Sequence, residues 1–558
     1  MLPYTMNLSM KRTSFLIVFI LLLCAVHLGA TEADVNGIRY EFDDNTLTAS
    51  VIPQENGDYT GNVVIPESVI YQNQTYNVSS IGEGAFAFCS DLTSVSMPNS
   101  VTIIDYMAFY GCSSLTSILL PDALLNIGSY AFDGCNGLTS ITIPHSVTTI
   151  GANAFNACNG LTSVHIDDLS AWCAISFGNF YSNPLSIAHH LFVGADEVTS
   201  LDIPVGVTNI GNWAFYGCTQ LTSITLPSSV TSVGLSTFSD CSGLSTVEWN
   251  AKDCSDYSSN TPFSTNPITT FIFGDSVQHI PAYLCYGLSS LTTITIPDNV
   301  TSIGNNAFKD CSGLTSVIFS NNVTDISSNV FAGCNSLTSM IIPDNVTSIE
   351  SSAFAYCSGL ESVTIGNSVT SIAEGTFYGC SSLTSVVWNA IECIDFDSLI
   401  TPFYNDYNLY HLDLRSQITS FVFGNNVQHI PANLCSSMTN LSSITIPASV
   451  QSIGDNAFAM CSKMQNMTVY SVVPPSIIQN TFDGISRTMP VFVPTAGLNA
   501  YKADPLWRQM NIIGMDEGLS DVDYTAITSN AQKTLLNGQL YIHLSDGSRF
   551  TILGVKDK

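Results

Sequence analysis

The chain has 558 residues, 45% of them hydrophobic and only 10% charged, with a formal net charge of -30. One globular core does not grow to that length, so the chain needs either several domains or a repeat architecture whose core extends lengthwise. Between residues 41 and 462 the only cations are Lys252, Lys309 and Arg415, which excludes nucleic acid as a partner and disfavours anionic membrane surfaces, since both need rows of Lys and Arg.

The N-terminus reads as an export signal over residues 1–30. Lys11 and Arg12 precede an apolar run from Phe15 to Val26, and the small residues Gly29 and Ala30 follow. Such a run is too short to span a bilayer but suits a signal-peptide core, with cleavage expected near Ala30. Leu23 stands before Cys24 where lipidation would want a small residue, so ordinary cleavage is preferred. No other stretch of the sequence reads as a transmembrane helix. Residues 31–80, with Ile38, Tyr40, Val63 to Pro66 and Tyr76 to Val78, suggest an N-terminal β cap.

From residue 81 a ruler sets the pattern. Cys89, Cys112, Cys135 and Cys158 lie 23 residues apart, as do Cys311, Cys334, Cys357 and Cys380, and the pair Cys218 and Cys241. A phenylalanine precedes each by three residues, among them Phe86, Phe109, Phe132, Phe155, Phe308 and Phe354. A fixed period in this range with apolar punctuation is the signature of a leucine-rich-repeat solenoid. In the coil from Ile81 to Ile103, the segment Leu92–Met97 ends in strand-like alternation. Pro98 lacks the N–H to continue a ladder, and the residues around Ala85 and Phe86 suit a short helical or 3₁₀ turn. The predicted fold is therefore a solenoid with a parallel β-sheet on one face, short turns and loops opposite, and β-rich caps.

The frame restarts often enough to give about sixteen coils over residues 81–475, counting three degenerate ones. Insertions fall near 167–200, 250–268 and 390–418. Two are related, because Trp249-Asn250-Ala251 with Cys254 matches Trp388-Asn389-Ala390 with Cys393. Residues 476–516 suggest a C-terminal cap containing Val491 to Pro494 and Trp507, since stacked strands need an end cover. Residues 517–558 form a tail in which Leu540, Ile542 and Leu544 alternate ahead of Asp546-Gly547, a hairpin signal.

The repeated run Ser-Ile-Gly-x-x-Ala-Phe-x-x-Cys-x-x-Leu-Thr-Ser-Ile-Thr-Ile-Pro-x-x-Val, carried in part at Ser302 to Val323 and near-complete from Ile453 to Met467, resembles the BspA-type leucine-rich-repeat surface proteins. The insertion from Asp168 to Cys173, with Asn183-Pro184-Leu185 and Ala188 to Leu191, also looks like that family. The resemblance covers residues 35 to 515. It implies a secreted or cell-surface protein that binds host or neighbouring-cell components, without naming the ligand. The tail from Ala531 to Gly554 is similar to the C-terminal sorting segments of Bacteroidetes secreted proteins, although its ending Ile552-Leu553-Gly554-Val555 departs from the usual polar finish.

The chain has seventeen cysteines, and an exported protein would ordinarily pair them. Stacked coils bring equivalent positions within reach, yet parallel side chains struggle to meet the dihedral of a disulfide. A buried thiol ladder is the expectation, with Cys89, Cys112, Cys135, Cys311 and Cys357 packed as small hydrophobes beside the phenylalanines. Cys285 and Cys435 stand in the phenylalanine slot while Leu288 and Met438 fill the cysteine slot, an interchange that marks packing. No C-x-x-C pair, H-E-x-x-H, P-loop or EF-hand loop is present in the sequence, so no metal or cofactor is expected. His279 and His429 recur at one repeat position and read as capping or packing residues. Enzymatic activity is not expected; the weakest alternative is a site in the insertions near Trp172, His189 and His190.

What remains is the outward strand face, which the alternation lines with Thr and Ser. Thr is a good strand former in any case; the functional alternative is a docking face. Thr142, His165, Thr225, Glu248, Trp249, Thr295 and Thr364 are the candidate ligand-binding residues, with Trp249 able to stack on a sugar or anchor a partner. The expected partner is a protein on host or neighbouring cells, and a glycan in nutrient capture is the alternative.

Overall fold

The computed structural model describes residues 31–259, 261–398, 400–405 and 413–515, together with the backbone of three strands further on. The expected signal segment lies outside the described residues. The fold is a parallel β-solenoid of about 18 turns with a period near 23 residues. A turn runs through one strand, a reversal at a proline, a two-residue second strand, and a compact segment carrying the phenylalanine and cysteine. In the turn that begins at Leu92, the first strand is Leu92–Ser96 and the second Ile103–Ile104. The count exceeds the coils marked by Phe and Cys because Thr48–Val51 joins the ladder of second strands in parallel with Gln74–Ile81, and Ser476 bridges Ser452 in parallel at the other end.

The chain divides into two compact units, the second taking in residues 341–344, 361–374 and everything from 382 onward. In the first, Thr31–Val35 and Ile38–Asp43 form an antiparallel edge on Thr48–Val51. The solenoid ladder follows through Gln74–Ile81, Ile103–Ile104, Asn126–Ile127, Thr149–Ile150 and Ser176–Phe177. The antiparallel strands therefore cover backbone that would otherwise be an open template. In the second unit, Ser362–Ile365, Ser385–Trp388 and Ser420–Phe423 pair in parallel. A later sheet runs from Ser443–Ile446 through Asn466–Val469 and Pro490–Pro494 to Asn511–Met515. There Trp507 is fully buried, with its indole N–H donating to the Pro475 carbonyl at 2.8 Å. The tail contributes three antiparallel strands, Gln532–Leu536, Gln539–His543 and Arg549–Thr551.

Equal periods stack identical side chains, and the core is built from that. Phe86, Phe109, Phe132 and Phe155 form a parallel stack with centroids 5.0, 5.2 and 5.2 Å apart. Phe308, Phe331, Phe354 and Phe377 repeat it at 5.4 to 5.6 Å. All sixteen described cysteines are buried. They do more than fill space. The thiol of Cys112 points at the carbonyl of Phe86 in the preceding turn at 3.0 Å, and Cys135, Cys158, Cys334, Cys357 and Cys380 repeat the contact at 3.0–3.3 Å. Cys311 reaches the carbonyl of Cys285 at 3.0 Å. Each thiol thus adds a second donor to a buried carbonyl that already accepts a backbone N–H, as the Phe86 carbonyl does from Cys89 at 3.1 Å.

In the regular turns the residue before the cysteine slot, which Leu288 fills after Gly287, is left-handed, and glycine holds that position in many of them. Gly379 has φ +77, and a Cβ there would sit 2.8 Å from the Tyr356 ring, which leans over it from the turn before. Gly287 has φ +76 and nothing within 4 Å of such a Cβ. Gly287→Ala is expected to cost only the left-handed strain, about 1–2 kcal/mol, while Gly379→Ala adds a clash. Urea midpoints of the two variants check this, and equal shifts would refute the Tyr356 contribution.

Candidate functional site

The outward face of the long strands carries two columns per turn. The first is the Thr beside each strand start, and it is structural. Thr116, Thr162, Thr222 and Thr315 donate their hydroxyls to the carbonyl 23 residues earlier at 3.3, 3.0, 2.8 and 3.0 Å. These hydroxyls tie neighbouring turns together. The expectation of a uniformly available hydroxyl row therefore needs correction.

The second column contains the candidate residues. Thr142 pairs with His165, and His165 with Phe192, in one sheet. The imidazole stacks on the Phe192 ring with centroids 4.8 Å apart, and its Nε2 lies 3.1 Å from the Ser163 hydroxyl. The sheet ends where Leu191–Val193 turns back into Asp196–Glu197, and Glu197 holds His190 Nδ1 at 2.6 Å. A second sheet aligns Asp202, Thr225, Glu248 and Ile272. Thr295 lies beside Ile318 in a third. Thr364 belongs to the second unit, where Val387 and then Val422 follow it in register. The six candidates of the first unit are therefore spread over three sheets.

Trp249 has to be withdrawn from the face. It is fully buried and lies in register with Phe273, with its ring edge-on to Phe263 at 6.2 Å. It is one residue beyond outward-facing Glu248, so the period of two turns it inward. Trp388 repeats that position in the second unit.

Aliphatic side chains stand where the alternation suggested hydroxyls. Val64, Ser96 and Leu119 share the second column. Val64 and Leu119 are 70% and 73% exposed, Ile272 48% and Ile318 58%. Sequence reasoning passed over these four because it followed the Thr rows; Ser-Ile-Leu-Leu at 117–120 and Thr-Phe-Ile-Phe at 270–273 held the signal.

His279 and His429 are spent on structure. His279 bridges three turns, with Nε2 2.9 Å from Asp256 and Nδ1 2.7 Å from the Ser302 hydroxyl. His429 repeats this with Asp395 and Ser452 at the same distances. Burial works against the charge of Asp256, but the Ala282 N–H and His279 outweigh it and hold the carboxyl below its usual range. In the first insertion Trp172 is buried with its indole N–H on the Ala214 carbonyl at 2.9 Å, and His189 Nδ1 meets the Gly217 carbonyl at 2.8 Å. His190, by contrast, is held by Glu197. Among the described residues no group of His, Cys, Asp and Glu is arranged to hold a metal ion, and no helix is long and apolar enough to cross a membrane.

A parallel ladder in which most turns carry one buried Phe and one buried Cys defines a leucine-rich-repeat protein. Residues 67–182, 168–287, 278–409 and 411–500 each match the family described as a BspA type leucine rich repeat region of six copies. The chain belongs to that family. Among solved structures it is similar to a leucine-rich repeat protein from Bacteroides ovatus, at 24% identity over 87% of this chain and 100% of that one, with a TM-score of 0.35. It is similar to a leucine rich cell surface protein from Faecalibacterium prausnitzii, at 26% identity over 64% and 94%, with a TM-score of 0.34. The pneumococcal vaccine antigen PcpA matches at 16% identity over 87% and 99%, with a TM-score of 0.28. No curated protein matches the chain.

Proposed function

We propose that this chain is an exported, cell-surface binding protein, adhesin-like in action, that recognises a protein ligand through the outward strand face. One observation carries the reading: exposed aliphatic side chains occupy the same outward column as Thr142, Thr225 and Thr295. Val64 and Leu119 are among the most exposed large hydrophobics of the described chain. An apolar side chain left in water on a rigid face gains free energy when a partner covers it, and the polar neighbours fix the partner's register. Export rests on the N-terminal signal reading, and surface retention on the tail. Family membership supports a binding role, and the neighbour from Faecalibacterium prausnitzii carries a cell-surface description.

The labelled full chain is tested against an array of purified extracellular-matrix and mucosal proteins. A specific ligand is expected, with Leu119→Lys and Thr225→Lys each weakening it tenfold or more while melting temperature stays unchanged. A ligand that binds both variants as tightly as the parent would place recognition elsewhere. An array without any hit would refute the strand-face reading.

A further inference from the structure

A groove of about 350 Å³ lies along the second strands of the first unit, away from the outward column of the long strands. Its rim is polar: Asp105, Asn126, Ser129, Thr149 and Ser176 all line it. Gly128, Gly151 and Gly178 line it too, with Ile103, Ile104, Ile127 and Ile150 as its apolar part, and a Cβ on any of the three glycines would sit 2.4–2.5 Å from the backbone of an earlier turn. No side chain can grow there to fill the space. Thr149 donates its hydroxyl to Asn126 Oδ1, so the Asn126 NH₂ is the end that offers donors. Asp105 accepts the Tyr106 N–H at 2.7 Å through one oxygen and keeps further acceptor capacity.

Tyr106 follows the rim residue Asp105 in the chain and Tyr130 follows Ser129, so each rim residue carries an aromatic neighbour in sequence. Tyr106 and Tyr130 meet edge to face at 5.9 Å, and one turn of chain away Phe88 and Tyr110 do the same at 5.2 Å. All four rings are only partly buried. Glu83 belongs to the same cluster; burial and the nearby Asp105 charge raise its carboxyl above the usual range. None of Lys252, Lys309 and Arg415 lines the groove.

We infer that this groove and its aromatic flank bind a neutral oligosaccharide. The combination matches the chemistry of sugars. Hydroxyls need closely spaced donors and acceptors, which Asn126, Asp105 and the Ser and Thr hydroxyls supply. The C–H faces of a pyranose need flat apolar rings with a polar tip, which Tyr106 and Tyr130 supply. The volume lies at the small end of ligand sites and suits a ligand of one or two rings. Two carboxylates without a cation repel sulfated or sialylated chains, so the preference is for uncharged ones.

Affinity electrophoresis of the full chain through gels containing dextran, laminarin, galactomannan or arabinoxylan provides the test, with heparin and polygalacturonate gels beside them. Retardation by at least one neutral polysaccharide and by neither anionic one is expected. Tyr130→Asn should weaken it at least tenfold. Asn holds the same left-handed slot at Asn153, where φ is 59 against 58 at Tyr130, so that variant keeps the fold. Asp105→Asn should weaken it several-fold, while Leu119→Lys leaves it unchanged. No retardation by any neutral polysaccharide, retardation by the anionic gels alone, or equal retardation of Tyr130→Asn would each overturn the inference. Loss in Leu119→Lys would overturn it too, by moving the site to the strand face. Because that variant separates the two surfaces, failure here leaves the protein-binding proposal standing.

Discussion

Phe354→Ala is expected to destabilise the first unit by about 3–5 kcal/mol, the range for deleting a fully buried phenylalanine. The Phe354 ring lies between Phe331 and Phe377, each 5.6 Å away and tilted by 11°. Removing the middle ring exposes two faces to one cavity, and the backbone cannot collapse to fill it. Its amide and carbonyl are held by the next turn, with Phe354 N–H donating to Thr376 at 2.9 Å and Cys380 reaching the Phe354 carbonyl at 3.1 Å. Total stability of a domain is about 5–15 kcal/mol, so one such loss is a large share of it. Each turn rests chiefly on its neighbours, so amide exchange should accelerate most across residues 331–380. Thr142→Ala, at an exposed position, should stay within about 0.5 kcal/mol. Equal shifts in thermal midpoint for the two variants would sink the argument.

That contrast shows why the fold was legible in the sequence while the surface was less so. A side chain that must stack on its own copy every turn leaves a fixed period, and Phe132 and Cys135 could be read from spacing alone. The first and last turns lack that mark. Thr48–Val51 and Ser476 enter the ladder through backbone pairing, which asks nothing particular of the side chains. The thiol contacts were invisible for a different reason: burial of Cys as a hydrophobe and Cys as a donor to Phe86 or Phe132 predict the same spacing. On the outward face nothing enforces a residue type, so a column can hold Thr142, His165 and Phe192 in successive strands. Strict alternation from buried Val247 would have turned Trp249 inward; grouping it with Glu248 by proximity in sequence put it on the wrong side. The groove beside Tyr106 and Tyr130 is assembled from four turns, and its glycines read as loop punctuation until the turns are stacked.

Alkaline pH is expected to unfold the chain cooperatively between pH 9 and 12. Burial pushes the thiols of Cys158, Cys218 and Cys311 up to about 12, and it raises Cys241, Cys285 and Cys435 well above the ordinary range. An unfolded cysteine titrates near pH 8.5. The folded value is the higher one, so the stabilisation is fully present below the unfolded value and is lost as pH climbs towards 12. Over that window each such thiol costs about 1.4 kcal/mol per pH unit, and several acting together exceed the stability of a domain. The geometry supplies the reason the proton matters. Cys158 donates to the Phe132 carbonyl at 3.0 Å and Cys311 to that of Cys285 at 3.0 Å, and a thiolate in either place would set an anion against an oxygen lone pair. Tyr40 and Tyr59, raised to about 12 chiefly by burial, add to the same slope. Thiolate absorbance near 240 nm should therefore rise in step with loss of the strand signal in circular dichroism, and before that point iodoacetamide should label none of the sixteen buried thiols. Thiolates that form or alkylate while the strand signal persists would show that the ladder does not need its protons.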